Sequence, residues 1–448
     1  MANTKKYDWL VVGGGFKSCV AAYCFAKQGH SVLLLERSAA LGGFLSPIQW
    51  GDFWIDKGPQ FFDNFEAKDR IFLEDMVGPD IFEDIGFKYA SFLNGTKTDD
   101  FAIPDWRSLG KAFSGNVFND LLTKAIEHGQ SNAVIETFEQ LLQADGGSLL
   151  TPKLTDLTEK FLRQSPQDLS VHARKMTTFV GRKLLFDQDI SVDLKTSPML
   201  DNLLAAQKKS VGEERLNLYP KGSNLETVRA ALEQAVRQVG VEVVTSCGDI
   251  DVDMAAHSCG YDGGTSSYDR AFFGCDAREA EQLLFGTDAL LQKTHMLPEI
   301  FHCFCVPGDA LDPAYYLVDY DPEHKSTRMT NFSNYMTAYD EDGYGVFCIE
   351  QAIDKGSAQW DAPETDKDVV FKEAQEAGNI TCDTYKSAKS FRIPVTYKVP
   401  LTGFDDACVG LSERLHSSSG GSVIVPNPMS LTRKETLDDL RALGLLAA

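Results

Sequence analysis

The chain has 448 residues, 43% of them hydrophobic and 24% charged, which excludes a disordered or fibrous class and supplies core for two or three domains. Its 65 acidic and 43 basic residues leave a formal net charge of −22, a polyanion that nucleic acid and anionic membrane surfaces repel. The Met1–Tyr7 segment is short and polar, and no apolar run reaches the length of a membrane span, so the expected address is the cytoplasm, without membrane insertion.

In chain order, Tyr7–Val12 reads as a buried strand running into three glycines. Phe16–Lys27 has helical spacing, with Val20, Ala21, Cys24 and Phe25 on one apolar face and Gly29 as its C-cap; Ser31–Leu35 is a second buried strand. This strand–helix–strand order belongs to a parallel sheet. Residues 67–211 change character: Val134–Gln143 and Leu154–Gln164 look helical and strand signals are few. The α/β pattern returns near Tyr219, with an amphipathic helix Leu225–Val239, a stop at Gly240 and a strand Val241–Thr245. A hairpin tip at Asp262–Tyr268, a strand Arg270–Phe273 and a helix Arg278–Phe285 follow. β-type alternation fills residues 295–400, as in Met329–Met336 and Tyr344–Ile349. The tail reads as strand Ser422–Val425 and helix Leu431–Leu445, with Ser430 or Thr432 as N-cap.

The sharpest motif is Val11-Val-Gly13-Gly14-Gly15-Phe16-Lys17-Ser18, with Glu36 closing the second strand 23 residues after Gly13. Gly13 permits the tight turn off the strand, and Gly15 lets the backbone approach a diphosphate lying on the helix N-terminus. Glu36 stands where a carboxylate accepts hydrogen bonds from a ribose. Ser18 replaces the third glycine of the dinucleotide fingerprint, where helix and strand pack closely.

Glu36 is followed by Leu41-Gly42-Gly43-Phe44 and Trp54-Ile55-Asp56-Lys57-Gly58-Pro59-Gln60, then by Tyr219-Pro-Lys-Gly-Ser-Asn224 before the amphipathic helix. With these residues the chain resembles the FAD-dependent amine oxidase superfamily, in particular its protoporphyrinogen-oxidase-like and UDP-galactopyranose-mutase-like branch. The resemblance is strong before Gln60, fair at 219–245 and weak elsewhere. It implies an α/β fold whose Rossmann-type FAD-binding domain is discontinuous, in pieces 1–66, 212–290 and 405–448. A mainly helical insertion would occupy 67–211 and an antiparallel-sheet substrate domain 291–404. It implies FAD as cofactor, held by Gly13, Gly14, Gly15, Phe16, Lys17, Ser18, Glu36, Arg37, Gly42, Gly43, Asp56, Gly58, Pro59 and Gln60. The C-terminal Val423-Ile-Val-Pro-Asn-Pro-Met-Ser430 matches neither the Gly-Asp of the oxidases nor the Gly-Arg of the mutases, so flavin contacts from that end do not carry over.

No catalytic acid or base announces itself. The eight histidines lack metal-site spacing, and His302, in an alternating apolar strand, reads as a satisfied core histidine. The ten cysteines include no CxxC pair, and Cys303-x-Cys305 lacks further ligands nearby in sequence; they read as buried free thiols, with no metal expected. Arg328 and Tyr397 lie in segments that the resemblance places over the flavin, and Arg328 suits an anionic substrate. The preferred reading is an FAD-dependent oxidoreductase that takes a hydride from a small-molecule substrate. The alternatives are a non-redox flavin-dependent mutase of a nucleotide sugar and a non-catalytic FAD-binding protein.

Overall fold

The computed structural model describes residues 5–128, 134–207, 215–336 and 339–446. Met1–Thr4 and the expected boundary at 211/212 lie outside them. The first strand, β1 (Lys5–Val12), is followed by helix α1 (Phe16–Lys27) and strand β2 (Val32–Leu35). All three fall within two residues of where the periodicity places them. Leu10 to Val12 and all of β2 are buried, the pattern of parallel strands covered on both faces.

The first sheet runs Glu242–Val244, β2, β1, Gly264–Phe273, Ser258–Tyr261 and Asp251–Asp253, and Val423–Ile424 also pairs with Gly264–Phe273. Its parallel register aligns Val12 with both Leu35 and Phe273, so three strands end together at their carboxyl edge. Helix Leu225–Gln238 packs on α1; it buries Leu225, Val228, Leu232, Ala235 and Val236 on one stripe and takes Asn224 as its N-cap. One sheet is therefore assembled from segments more than 200 residues apart.

The second sheet runs Ser387–Pro400, Thr294–Pro307, Tyr344–Ala352, Arg328–Thr330, Tyr316–Asp319, Tyr89–Leu93 and Thr96–Asp99. The last two strands lie inside the stretch read as helical, and residues 82–84 form a further short strand. Helical character instead dominates from Lys111: helices Lys111–His128 and Phe138–Leu162 pack Val117, Leu121, Leu142 and Leu154 against Leu297, Val318 and Val399 of the second sheet. The two helical segments read from sequence at 134–143 and 154–164 merge into Phe138–Leu162, broken in backbone angle at Gly147. Met329–Met336 is not continuous strand: after Thr330 the chain turns into helix Ser333–Met336.

Among the described residues no helix is long and apolar enough to cross a membrane.

Candidate cofactor and substrate cavity

A cavity of about 860 Å³ opens at the carboxyl edge of the parallel strands, bounded by Val12, Leu35 and Gly274. This is where open α/β sheets place ligands. Gly13 has a φ of +93°, and a Cβ there would come within 2.9 Å of the Cys275 amide nitrogen. Gly14 donates its N–H to Glu36 Oε2 at 2.5 Å, and Ser38 donates to Glu36 Oε1 at 2.6 Å, so the carboxylate lies across the mouth of the turn. Gly15 is the N-cap of α1; it offers no side-chain cap to the first-turn amides, and a Cβ built on it meets nothing within 4 Å. An uncapped helix start, open space at its tip and no acid in its first turn suit an anion. Gly42 donates to the Gly14 carbonyl at 2.7 Å, and Gly43 lies against Gly15, which lays this second glycine pair along the first turn.

Of the residues expected to hold the cofactor, Gly13, Gly14, Gly15, Phe16, Lys17, Glu36, Arg37, Gly42, Gly43, Pro59 and Gln60 line the cavity. The other three, Ser18, Asp56 and Gly58, are not among the residues that line it. Ser18 is fully buried under Gly274, where a glycine is needed because any Cβ would strike the Ser18 hydroxyl. Asp56 is fully buried and accepts a 2.7 Å hydrogen bond from Tyr219 Oη. Burial pushes its carboxyl up to about 7, against the lowering effect of that bond. Gly58, at φ +81°, passes beneath Arg328; a Cβ would sit 3.0 Å from the guanidinium.

Arg328 and Tyr397 both line the cavity. Arg328 Nε and Nη2 bind Glu350 at 3.0 and 2.5 Å, and only Nη1 remains on the cavity side, 3.4 Å from Tyr397 Oη. The guanidinium is thus an ion-pair arginine that also lines the cavity. Its two-bond edge is spent on Glu350. Glu299 lies close behind, 3% exposed, with Oε2 lacking a partner among the described residues. Burial, then repulsion from Glu350, pushes the Glu299 carboxyl up to about 8, with Arg328 opposing.

Several lining residues had no sequence signal. Tyr316 stacks on Tyr89 with centroids 4.4 Å apart and lies nearly parallel to Phe61, giving the cavity a flat aromatic wall. Lys175, Lys398 and Arg433 bring further positive charge. Arg433 begins the C-terminal helix Arg433–Ala442, whose N-cap is Thr432 rather than Ser430, with a reciprocal Glu435 contact. Outside the cavity, His302 is fully buried between Ser390 Oγ and Gln351 Oε1, each at 3.0 Å, as a satisfied core histidine. Asp319, His324 and Glu373 gather ligand-type atoms within 4.8 Å. Ser326, two backbone amides and the Lys160 ammonium already occupy those carboxylates, so the cluster is an ion-pair network.

Residues 11–75 match the NAD(P)-binding Rossmann-like domain family. A stretch of 55 residues is 40% identical to a probable flavin-containing monoamine oxidase A of Dictyostelium discoideum and covers 12% of each chain. Over the whole length the structure is similar to a reduced UDP-galactopyranose mutase, with TM-score 0.74, 14% identity and coverage of 100% of this chain and 97% of that one. It is similar to a putative protoporphyrinogen oxidase from Exiguobacterium sp. 255-15, with TM-score 0.65, 15% identity and coverage of 99% and 98%. A putrescine oxidase superposes with TM-score 0.61 at 12% identity over 99% and 98% of the two chains. The segment that opens the cavity, residues 11–75, is thus Rossmann-like. The chain as a whole shares the fold of these mutase and oxidase structures.

Proposed function

We propose that this chain is an FAD-dependent oxidoreductase acting on a small anionic molecule. One observation carries the reading: a single cavity joins Glu36, the open glycine turn and the Arg328–Tyr397 wall. Bound FAD would supply two-electron redox chemistry. The chain's own residues bind and orient. Glu36 has lone pairs left for ribose hydroxyls beyond the two amides it holds. The first-turn amides of α1, facing the open side of Gly15, receive the diphosphate. Phe61 and Tyr316 offer flat apolar surface, and Arg328 Nη1 with Tyr397 Oη offers one cationic and one hydroxyl contact to a carboxylate or phosphate.

A second reading, a non-redox mutase of a nucleotide sugar, is favoured by the whole-length likeness to UDP-galactopyranose mutase and by six basic side chains in the cavity wall: Lys17, Arg37, Lys175, Arg328, Lys398 and Arg433. The visible spectrum of purified protein tests the shared premise. Yellow protein with oxidised-flavin bands is expected, and colourless protein that takes up no FAD on reconstitution sinks both readings. Anaerobic bleaching of those bands by small anionic amines or alcohols supports the oxidoreductase. Turnover of UDP-galactopyranose only after dithionite reduction supports the mutase and overturns the first reading.

A further inference from the structure

Five of the six basic side chains in the cavity wall have a carboxylate partner. Lys17 faces Asp439 at 4.0 Å, Lys175 meets Glu435 at 2.8 Å, Arg37 pairs with Glu279, Lys398 with Asp276, and Arg328 with Glu350. Arg433 differs. Its Nη1 donates to the carbonyls of Gln60 and Phe61 at 3.2 and 2.8 Å, its Nη2 to Gln60 Oε1 at 2.8 Å, and its guanidinium carbon lies 4.6 Å from the Phe62 ring centre. Among the described residues no carboxylate makes an ion pair with it.

Two further facts make this placement costly. Burial lowers the Arg433 guanidinium to about 10, with the more distant Asp63 and Asp56 opposing. The residue is the first of its helix, so its charge adds to the positive end of the helix dipole instead of offsetting it. A desolvated cation without a counter-ion is unfavourable, and such groups cluster where a ligand completes the charge balance.

We propose that Arg433 is the fixed cation that meets the negative charge the FAD ring acquires on reduction. The inference rests on the flavin reading above. Two electrons and one proton, delivered by a substrate or by a chemical reductant, leave the ring system with one net negative charge. The diphosphate already has a seat at the start of α1. Arg433 is anchored instead to Gln60 and Phe61, and the Phe61 ring lies nearly parallel to Tyr316 in the aromatic part of the wall. A cation there favours the reduced over the oxidised form and so raises the midpoint potential.

The test compares wild-type holoprotein with Arg433→Gln and Arg433→Lys, measuring the FAD midpoint potential against a reference dye and the FAD dissociation constant in both redox states. Arg433→Gln is expected to weaken binding of reduced FAD about tenfold more than oxidised FAD, a fall of ~30 mV for a two-electron couple. Arg433→Lys, which keeps the charge, should hold a potential close to wild type even if the turn at Gln60 loosens. Equal weakening of both forms would make Arg433 a diphosphate ligand and overturn the proposal. A wild-type potential in FAD-loaded Arg433→Gln, or the same fall in Arg433→Lys as in Arg433→Gln, would overturn it too. Wild-type protein that takes up no FAD sinks the flavin reading and this one together, whereas the other outcomes bear on Arg433 alone.

Discussion

Glu299 shares a buried patch of the second sheet with Glu350 and Arg328, two acids against one guanidinium, and Thr396 is its neighbour from the adjoining strand. Its carboxyl stands at about 8 in the folded chain against an ordinary value of 4.5, so the folded state holds that proton more tightly than the unfolded chain. The stability this contributes is fully present below about pH 4.5 and is lost as pH rises through about 8, because the unfolded chain binds fewer protons across that window. Asp56, raised to about 7, acts in the same direction. Glu299→Gln keeps the shape without the titration, and its urea midpoint should fall less than wild type between about pH 5 and about pH 8. An unchanged slope would mean that Glu299 ionises normally. At this scale the sequence yields what local backbone chemistry dictates: Glu36 is legible because a strand end fixes it relative to Gly13. Glu299 and Arg433 are not, since their partners, Glu350 and the Gln60 carbonyl, lie 51 and 373 residues away.

Within the turn between β1 and α1 the glycines do different work. Gly13 needs its positive φ and has the Cys275 backbone against it, whereas Gly15 has φ −70° and open space beyond. Gly13→Ala should therefore lower the melting temperature even in the absence of FAD, through backbone strain and a forced shift of Cys275. Gly15→Val should leave the far-UV circular dichroism of the apoprotein near wild type and abolish FAD uptake, since its methyls enter the space given to the diphosphate. Normal flavin content in Gly15→Val would show that this turn cradles no phosphate. Elements of this kind were readable because a buried parallel strand and a twelve-residue helix carry strong periodicity. The hairpin Tyr89–Leu93 to Thr96–Asp99 was missed although Asn94-Gly95, both at positive φ, is the usual signal for a two-residue turn. Its strands are short, the second of them has no buried residue, and long helices follow from Lys111. Met329–Met336 misled for a different reason: its alternation continues past Thr330, but Asn331 binds the carbonyl oxygens of Asp312 and Ala314, and the chain turns into a helix there.

Across the whole molecule, a chain of net charge −22 builds a cavity wall with six basic and four acidic side chains, the acids being Glu36, Asp63, Asp276 and Glu279. Local field inside a cleft outweighs distant surface charge, which salt screens within about 10 Å. The wall draws on the carboxyl edge of the first sheet, the segment 59–63, the second sheet at Tyr316, Arg328 and 395–398, and the C-terminal segment 428–436. Composition and periodicity could not foretell that meeting, because none of these segments is near the others in sequence. A ligand that touches all of them binds the folded chain and has nothing comparable to bind in the unfolded one. FAD should then stabilise by RT ln(1 + [L]/Kd), ~2.7 kcal/mol at about a hundredfold excess over Kd. The melting temperature of apoprotein should climb steadily with added FAD. Glu36→Ala loses charge-assisted ribose bonds of ~1.5–3 kcal/mol each, so it should need at least tenfold more FAD for the same shift. It also strips the acceptor from the Gly14 and Ser38 amides, so its apoprotein should start from a lower melting temperature. Apoprotein whose melting temperature ignores FAD would show that the cavity is not its seat; equal FAD dependence in Glu36→Ala would keep the seat and remove Glu36 from the ribose.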